Sequence, residues 1–401
     1  MKEIGKARFN VGIGWFVLMF CMGLMDLPFR YFLKDDLSLS ASELAWFFAI
    51  VNIPIYIKPI LGFFTDVIKL RGSRRRYYML ISLLICSIVY FVLGFVSTIE
   101  EALLSYFILT LFLTQVSIIL GAMIVEYGNK YQNTGGFSSL RIASIKIAVL
   151  IGGPIGGYLA MKDINISTSI CATMMMILLP IYYLTFKEKK NETNEYNFYA
   201  EFKNQLKNLL HSRVLLLTIL LIFLWKISPG FTTPLLYYQT DQLQFNSSFI
   251  GLLYSLLAAG GIIGAIMYNH LCKHINLRLL LIIGITIDAI DSLIYLAYNG
   301  QVSAVLITAL NGITAALCAL PLYDLAARAT PKKSESIGYA LILSVWNVAD
   351  ALSDVLASKL YDAYNIQFHS LVWINTLSTL AILLFVPLIP KWITNYTDKS
   401  S

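Results

Sequence analysis

Charge is scarce in this sequence: 13% of its 401 residues are Asp, Glu, Lys or Arg, about half the share of an ordinary soluble domain. A chain so poor in charge lacks the means to cover itself with a water-facing surface. Histidine is rarer still, with four in all. His211, His270, His274 and His369 stand at no metal-ligand or triad spacing, so neither an enzyme activity nor a bound metal is expected. No Gly-rich loop leads into Lys-Ser or Lys-Thr, so the sequence offers no phosphate cradle for ATP, and no cofactor is implied. The five cysteines, Cys21, Cys86, Cys171, Cys272 and Cys318, also lack ligand spacing and read as small apolar packing groups.

What is abundant is apolar sequence, at 58% of residues with a mean hydropathy of +0.70. A bilayer core about 30 Å thick takes roughly 20 apolar residues per helix, and such runs recur along the whole chain. About twelve are predicted. The first half gives Val11 to Phe32, Ala45 to Phe64, Tyr77 to Val96, Ala102 to Val125, Leu140 to Ala160 and Ile170 to Phe186. The second half gives Val214 to Tyr237, Phe249 to Tyr268, Leu277 to Ala297, Val302 to Leu325, Ile337 to Leu360 and Leu371 to Leu388. A break near Pro229 and Pro234 would change the count by one. The first run is long and has no small-residue cleavage site after it, so it reads as a span and not as a removable leader. The expected fold class is an all-α integral membrane protein in which the lipid bilayer is the main partner.

Basic residues of short loops stay cytoplasmic, and alternate loops here are basic. Lys2, Lys6 and Arg8, then Lys69, Arg71 and Arg74 to Arg76, Lys187 to Lys190, Lys273 and Arg278, Lys332 and Lys333, and Lys391 fall on one side. Asp35, Asp36, Glu100, Glu101, Asp241 and Asp362 fall on the other. Both termini are thus expected in the cytoplasm. The formal charge of +7 follows from this bias, and no nucleic-acid partner is implied.

The longest internal polar stretch separates six spans from six, which predicts a bundle over 1–187, a cytoplasmic linker over 188–213 and a second bundle over 214–401. Within the linker, residues 199–210 read either as an amphipathic helix on the membrane surface or as a solvated connection. Glycines gather at Gly152, Gly153, Gly156 and Gly157, and again at Gly260, Gly261 and Gly264, a spacing that lets membrane helices approach closely. Compact loops favour a bacterial inner membrane, and the chain is expected to act as a monomer.

After the second span come Gly62, Asp66, Arg71, Gly72, Arg74 and Arg75. These resemble the signature loop of the major facilitator superfamily, in which Gly starts a tight exit, Asp caps a helix end and Arg residues pin a cytoplasmic gate. A narrower resemblance runs from Leu33 to Tyr78, through Asp35, Asp36, Pro54, Lys58 and Pro59. It continues at Val125-Glu126, Gly136, Leu140, Pro331, Glu335, Tyr339, Ala340, Ser344 and Asn347, and is similar to the folate-biopterin transporter family. That resemblance implies two six-helix bundles and a secondary transporter of a folate or pterin. It departs at Gly121, where the family typically carries an acidic residue. Another organic anion, an amino acid, a peptide or a siderophore-like solute stays open as the small-molecule substrate, as does a non-transporting receptor or assembly protein of the same fold.

Charges inside hydrocarbon cost at least about 2.5 kcal/mol each, so they mark a solute pathway or a buried pair. Asp26 with Arg30 and Asp324 with Arg328 stand four apart and are expected to pair. Glu126 and Arg141, at the inner ends of consecutive spans, are expected to pair likewise. Lys58 lies within the second span, and Lys226 is expected mid-span, with no acidic neighbour on its own helix. Asp288 with Asp291, and Asp350 with Asp354 and Asn347, share helix faces as like-charged groups, one of each pair being expected to hold a proton. Asp350 and Asp354 with Lys226 suit symport with protons, and Trp225 and Trp346 suit stacking on a flat ring.

Overall fold

The computed structural model describes residues 2–67, 73, 75–186, 209, 211–330, 335–362, 364, 366–395 and 397. The signature-loop residues Arg71, Gly72 and Arg74, most of the linker and Pro331 lie outside these. Asp66 lies in the last turn of the helix Lys58–Val67.

All elements among the described residues are helical, as a bilayer requires of a chain that must satisfy every backbone polar group internally. They are α1 (Lys2–Tyr31), α2 (Ala41–Val51), α3 (Ile53–Tyr56), α4 (Lys58–Val67), α5 (Arg76–Leu93), α6 (Ile99–Lys130), α7 (Thr134–Leu159) and α8 (Ile164–Thr185). Then follow α9 (Arg213–Lys226), α10 (Thr232–Tyr237), α11 (Ser247–Leu271), α12 (Leu277–Ile294), α13 (Gln301–Ala329), α14 (Glu335–Asp362), α15 (Phe368–Ala381) and α16 (Lys391–Thr394). Among the described residues, ten stretches are long and apolar enough to cross a membrane. Two further passages are interrupted: 41–67 breaks at Asn52 and Ile57, beside Pro54 and Pro59, and 213–237 breaks over 227–231. Together they are consistent with about twelve passages.

The chain divides into two compact units. One comprises Met1–Leu39, Ile50–Tyr196 and Asn246–Ser255; the other comprises Ser40–Ala49, Asn197–Phe245 and Leu256–Ser401.

An internal repeat that is faint in sequence is plain in the backbone. Both α1 and α10 end in a π turn, Phe32–Asp36 and Tyr238–Gln242. In each, a wide bond closes the turn, from Leu37 N to Phe32 O and from Leu243 N to Tyr238 O, both 3.0 Å. One residue then takes a left-handed conformation, Ser38 at φ 55° and Gln244 at φ 52°. The next amide reaches back six residues, Leu39 N to Leu33 O at 3.0 Å and Phe245 N to Gln239 O at 2.8 Å, and its apolar side chain is buried, as in a Schellman stop. Ser40 and Asn246 then cap the next helix through the amides of Glu43 and Phe249. At one constant offset, Pro28, Tyr31, Asp35 and Leu37 match Pro234, Tyr237, Asp241 and Leu243.

The glycine clusters are sites of backbone contact. A Cβ on Gly156 would stand 2.5 Å from Leu24 O, and one on Gly157 would stand 2.6 Å from Ser247 O. In the other unit a Cβ on Gly260 would meet Ala309 O at 2.7 Å and Gly312 Cα at 2.9 Å. No larger residue fits those crossings without moving a helix. All five cysteines are buried and unbridged.

Candidate functional site

In the first unit the sequence-predicted charges form three local arrangements. Asp26 Oδ1 accepts from Arg30 Nε at 3.0 Å, one turn along α1. Glu126, near the C-terminal end of α6, is bound by Arg75 from the loop before α5. That replaces the expected pairing with Arg141, whose guanidinium instead lies over the Trp15 indole, 4.4 Å from its centre. The correction has a simple cause: an Arg arriving from a loop distant in sequence reaches Glu126, while Arg141 packs on the aromatic face of α1, a favourable cation–π geometry. Arg75, one of the signature-loop residues, is thus tied to α6. Lys58 opens α4, half-buried, and among the described residues no carboxylate pairs with it. A cavity of about 760 Å³ in this unit is lined by Arg8, Phe9, Phe16, Leu140 and Ser144 among others, and by none of the predicted pathway residues.

In the second unit Lys226, Asp350 and Asp354 meet at the interruption between α9 and α10. Lys226 is the last residue of α9, not mid-span, where the helix dipole favours a cation. Its Nζ lies 2.7 Å from Asp350 Oδ1 on α14 and 5.0 Å from the centre of the Trp346 ring. Trp346, one turn before Asp350, stacks on Tyr323 of α13 with centroids 4.8 Å apart and planes 7° from parallel. Asn347 follows Trp346 on the same helix and is partly exposed. The Asp350 side chain keeps 60% of its surface exposed and Lys226 27%.

The like-charged pairs read from helix faces take separate partners. Asp288 Oδ2 accepts from the indole N–H of Trp225 at 2.6 Å. That indole is buried and committed to the carboxylate, so it is a support and not the stacking surface expected of it. Asp291 accepts from Asn311 Nδ2, and from Thr314 Oγ1 at 2.8 Å, both on α13. Asp354 accepts from the Thr233 amide at 2.8 Å and from its hydroxyl at 2.6 Å, capping α10. Asp324 holds Arg328 through two bonds of 2.8 Å, and Arg328 also reaches Ile393 O at 3.4 Å, tying α13 to α16.

Sequence reasoning missed Tyr323, Ser353, Asn375 and Thr233. None is ionisable within the range that draws attention, and their roles depend on neighbours from other helices.

Comparison with known proteins agrees with this architecture. A folate-biopterin transporter of Synechocystis sp. is 26% identical over 405 residues, covering 94% of this chain and 81% of that one. Folate transporter 2 of Plasmodium falciparum is 25% identical over 406 residues, covering 94% and 88%. Among solved structures, a D-xylose-proton symporter superposes with a TM-score of 0.75 at 15% identity, covering 98% of this chain and 99% of the other. The nucleoside transporter NupG gives 0.72 at 14% identity, covering 96% and 98%. At those identities the structures speak for the fold alone, that of the major facilitator superfamily. The BT1 family model matches residues 20–401, and the chain therefore belongs to the BT1 family of membrane transporters.

Proposed function

We propose that this transporter moves a flat, anionic heterocyclic solute of the folate or pterin kind, and that Lys226, Asp350, Trp346 and Tyr323 bind it. The observation that carries the reading is the exposed Lys226–Asp350 pair beside a ready-made aromatic stack. A ring lies on Trp346, and a solute carboxylate takes the place of Asp350 on Lys226, a charge-assisted bond. Relatives named as folate and biopterin transporters support the same solute class.

Proton coupling fits the exchange. Asp350 is the carboxylate that the solute displaces from Lys226, so proton movement is assigned to it. The remainder of the reading is alternating access by bundles over 1–187 and 214–401, a monomer in a bacterial inner membrane, and both termini inside, supported by the distribution of Lys and Arg. The test is a thermal-shift screen of the purified protein against folic acid, biopterin, nucleosides, dipeptides and aliphatic dicarboxylates. Stabilisation by the first two supports the proposal. Stabilisation by another class with no response to folates or pterins overturns it.

A further inference from the structure

The interruption between α9 and α10 places free backbone groups inside a membrane protein, where each unsatisfied group costs several kcal/mol. Their partners come from two helices. From α15, Asn375 Nδ2 donates to Pro229 O at 2.8 Å, and Ser378 and Thr379 surround the Ser228 hydroxyl. From α14 come three contacts in register with the break. Asp350 holds Lys226 on its near side. Ser353 Oγ, with the residue 5% exposed, accepts from Gly230 N at 2.7 Å and donates to Ser228 O at 2.5 Å in the middle. Asp354 holds the amide and hydroxyl of Thr233, a fully buried residue, on the far side. The fit is close, since a Cβ on Gly230 would stand 3.0 Å from Ser353 Oγ.

We propose that α14 is a splint across this break: Ser353 and Asp354 are positioning residues that set the direction of α10, and Asp350 is the releasable end of the splint. This rests on the reading of Lys226–Asp350 as the solute site. A solute that takes Lys226 from Asp350 frees one of three polar attachments and leaves Ser353 on the interruption and Asp354 on the start of α10. The chemistry sorts the three contacts. The Asp350 pair is exposed and exchangeable, whereas the Ser353 and Thr233 contacts are dry and have no water to replace them. Asp354 is accordingly a fixed cap and not a carrier of protons.

The experiment is hydrogen–deuterium exchange of the full chain in lipid nanodiscs, without solute, followed by uptake kinetics. Asp354→Ala is expected to speed exchange of the amides in 230–240 by about tenfold or more, the effect of losing a hydrogen bond to a charged group. Asp354→Asn, which still accepts from the Thr233 amide, stays within about threefold of the parent, as does Asp350→Asn. In uptake of folic acid, Asp354→Ala and Ser353→Ala lower Vmax about tenfold with KM within about threefold, whereas Asp350→Asn alters KM. Thr233→Val, which removes only the hydroxyl, gives a smaller change of the same kind and serves if Asp354→Ala does not fold. Parent-like protection of 230–240 in Asp354→Ala or Thr233→Val, or a loss of Vmax that Asp354→Asn fails to restore, overturns the splint. A parent that binds no folate overturns the solute reading instead, and leaves the exchange arm to decide the splint.

Discussion

Replacing Lys226 by Met keeps the length of the side chain and removes its charge, which separates the cost to the fold from the cost to solute binding. The pair it breaks is largely open, at 27% and 60% side-chain exposure, so Asp350 returns to water with little penalty. Exposed pairs contribute about 0–1 kcal/mol, and the ammonium over Trp346 adds about 0.5–1 kcal/mol. Stability should therefore fall by less than about 2 kcal/mol. A solute carboxylate on Lys226 is a charge-assisted bond of about 1.5–3 kcal/mol. Its loss weakens Kd by roughly tenfold to a hundredfold. Arg328→Met is the control, because there the pair is 9% and 20% exposed and removing the cation from a buried ion pair costs about 3–5 kcal/mol. The assay is a melting curve for each variant together with folic acid titration by quenching of tryptophan fluorescence. Lys226→Met should melt within a few degrees of the parent and bind weakly; Arg328→Met should melt well below it. A Lys226→Met protein that binds folic acid within threefold of the parent, or that melts as low as Arg328→Met, refutes the reasoning.

Three further outcomes follow from the same geometry. Trp225→Phe strips Asp288 of its indole donor in a buried setting, and should lower stability by about 1–3 kcal/mol in a denaturation series, with Trp225→Phe plus Asp288→Leu recovering part of it. Gly312→Ala places a Cβ against Leu257 O and Gly260 Cα, and should cost about 1–3 kcal/mol by the same measurement, while Gly121→Ala meets nothing within 4 Å and should be neutral. Glu126→Gln weakens the tie to Arg75 at an exposed position, and should leave melting within about 1 kcal/mol of the parent while raising labelling of a cysteine introduced at Ser73.

The spans were legible because a bilayer sets the length of every apolar run, and the loop charges and the i,i+4 pairs Asp26–Arg30 and Asp324–Arg328 are local facts of a helix. Their partners lie on the same helix, one turn away. What was illegible depended on contacts between helices. Asp288 and Asp291 read as one acidic face, yet Trp225 comes from α9 and Asn311 and Thr314 from α13. Asp354 looked like the twin of Asp350 until Thr233, at the start of a half-helix, claimed it. The break itself is hinted at by Pro229 and Gly230, but what keeps it open in a dry interior is a set of hydroxyl and amide groups on α14 and α15, residue types too common to be singled out from sequence. The repeat was hidden for a similar reason. Backbone geometry at Ser38 and Gln244 is shared, whereas side chains are shared at only a few matching positions.

Initial-rate uptake of radiolabelled folic acid and biopterin into proteoliposomes, with and without an imposed pH gradient, bears most directly on the central claim that Lys226 and Asp350 beside Trp346 bind and move such a solute. The account predicts saturable uptake by the parent, uptake near background for Lys226→Met, and uptake by Asp350→Asn that no longer responds to the gradient. Transport of neither compound by the parent under any ion gradient, alongside transport of a solute with no aromatic face, would contradict it.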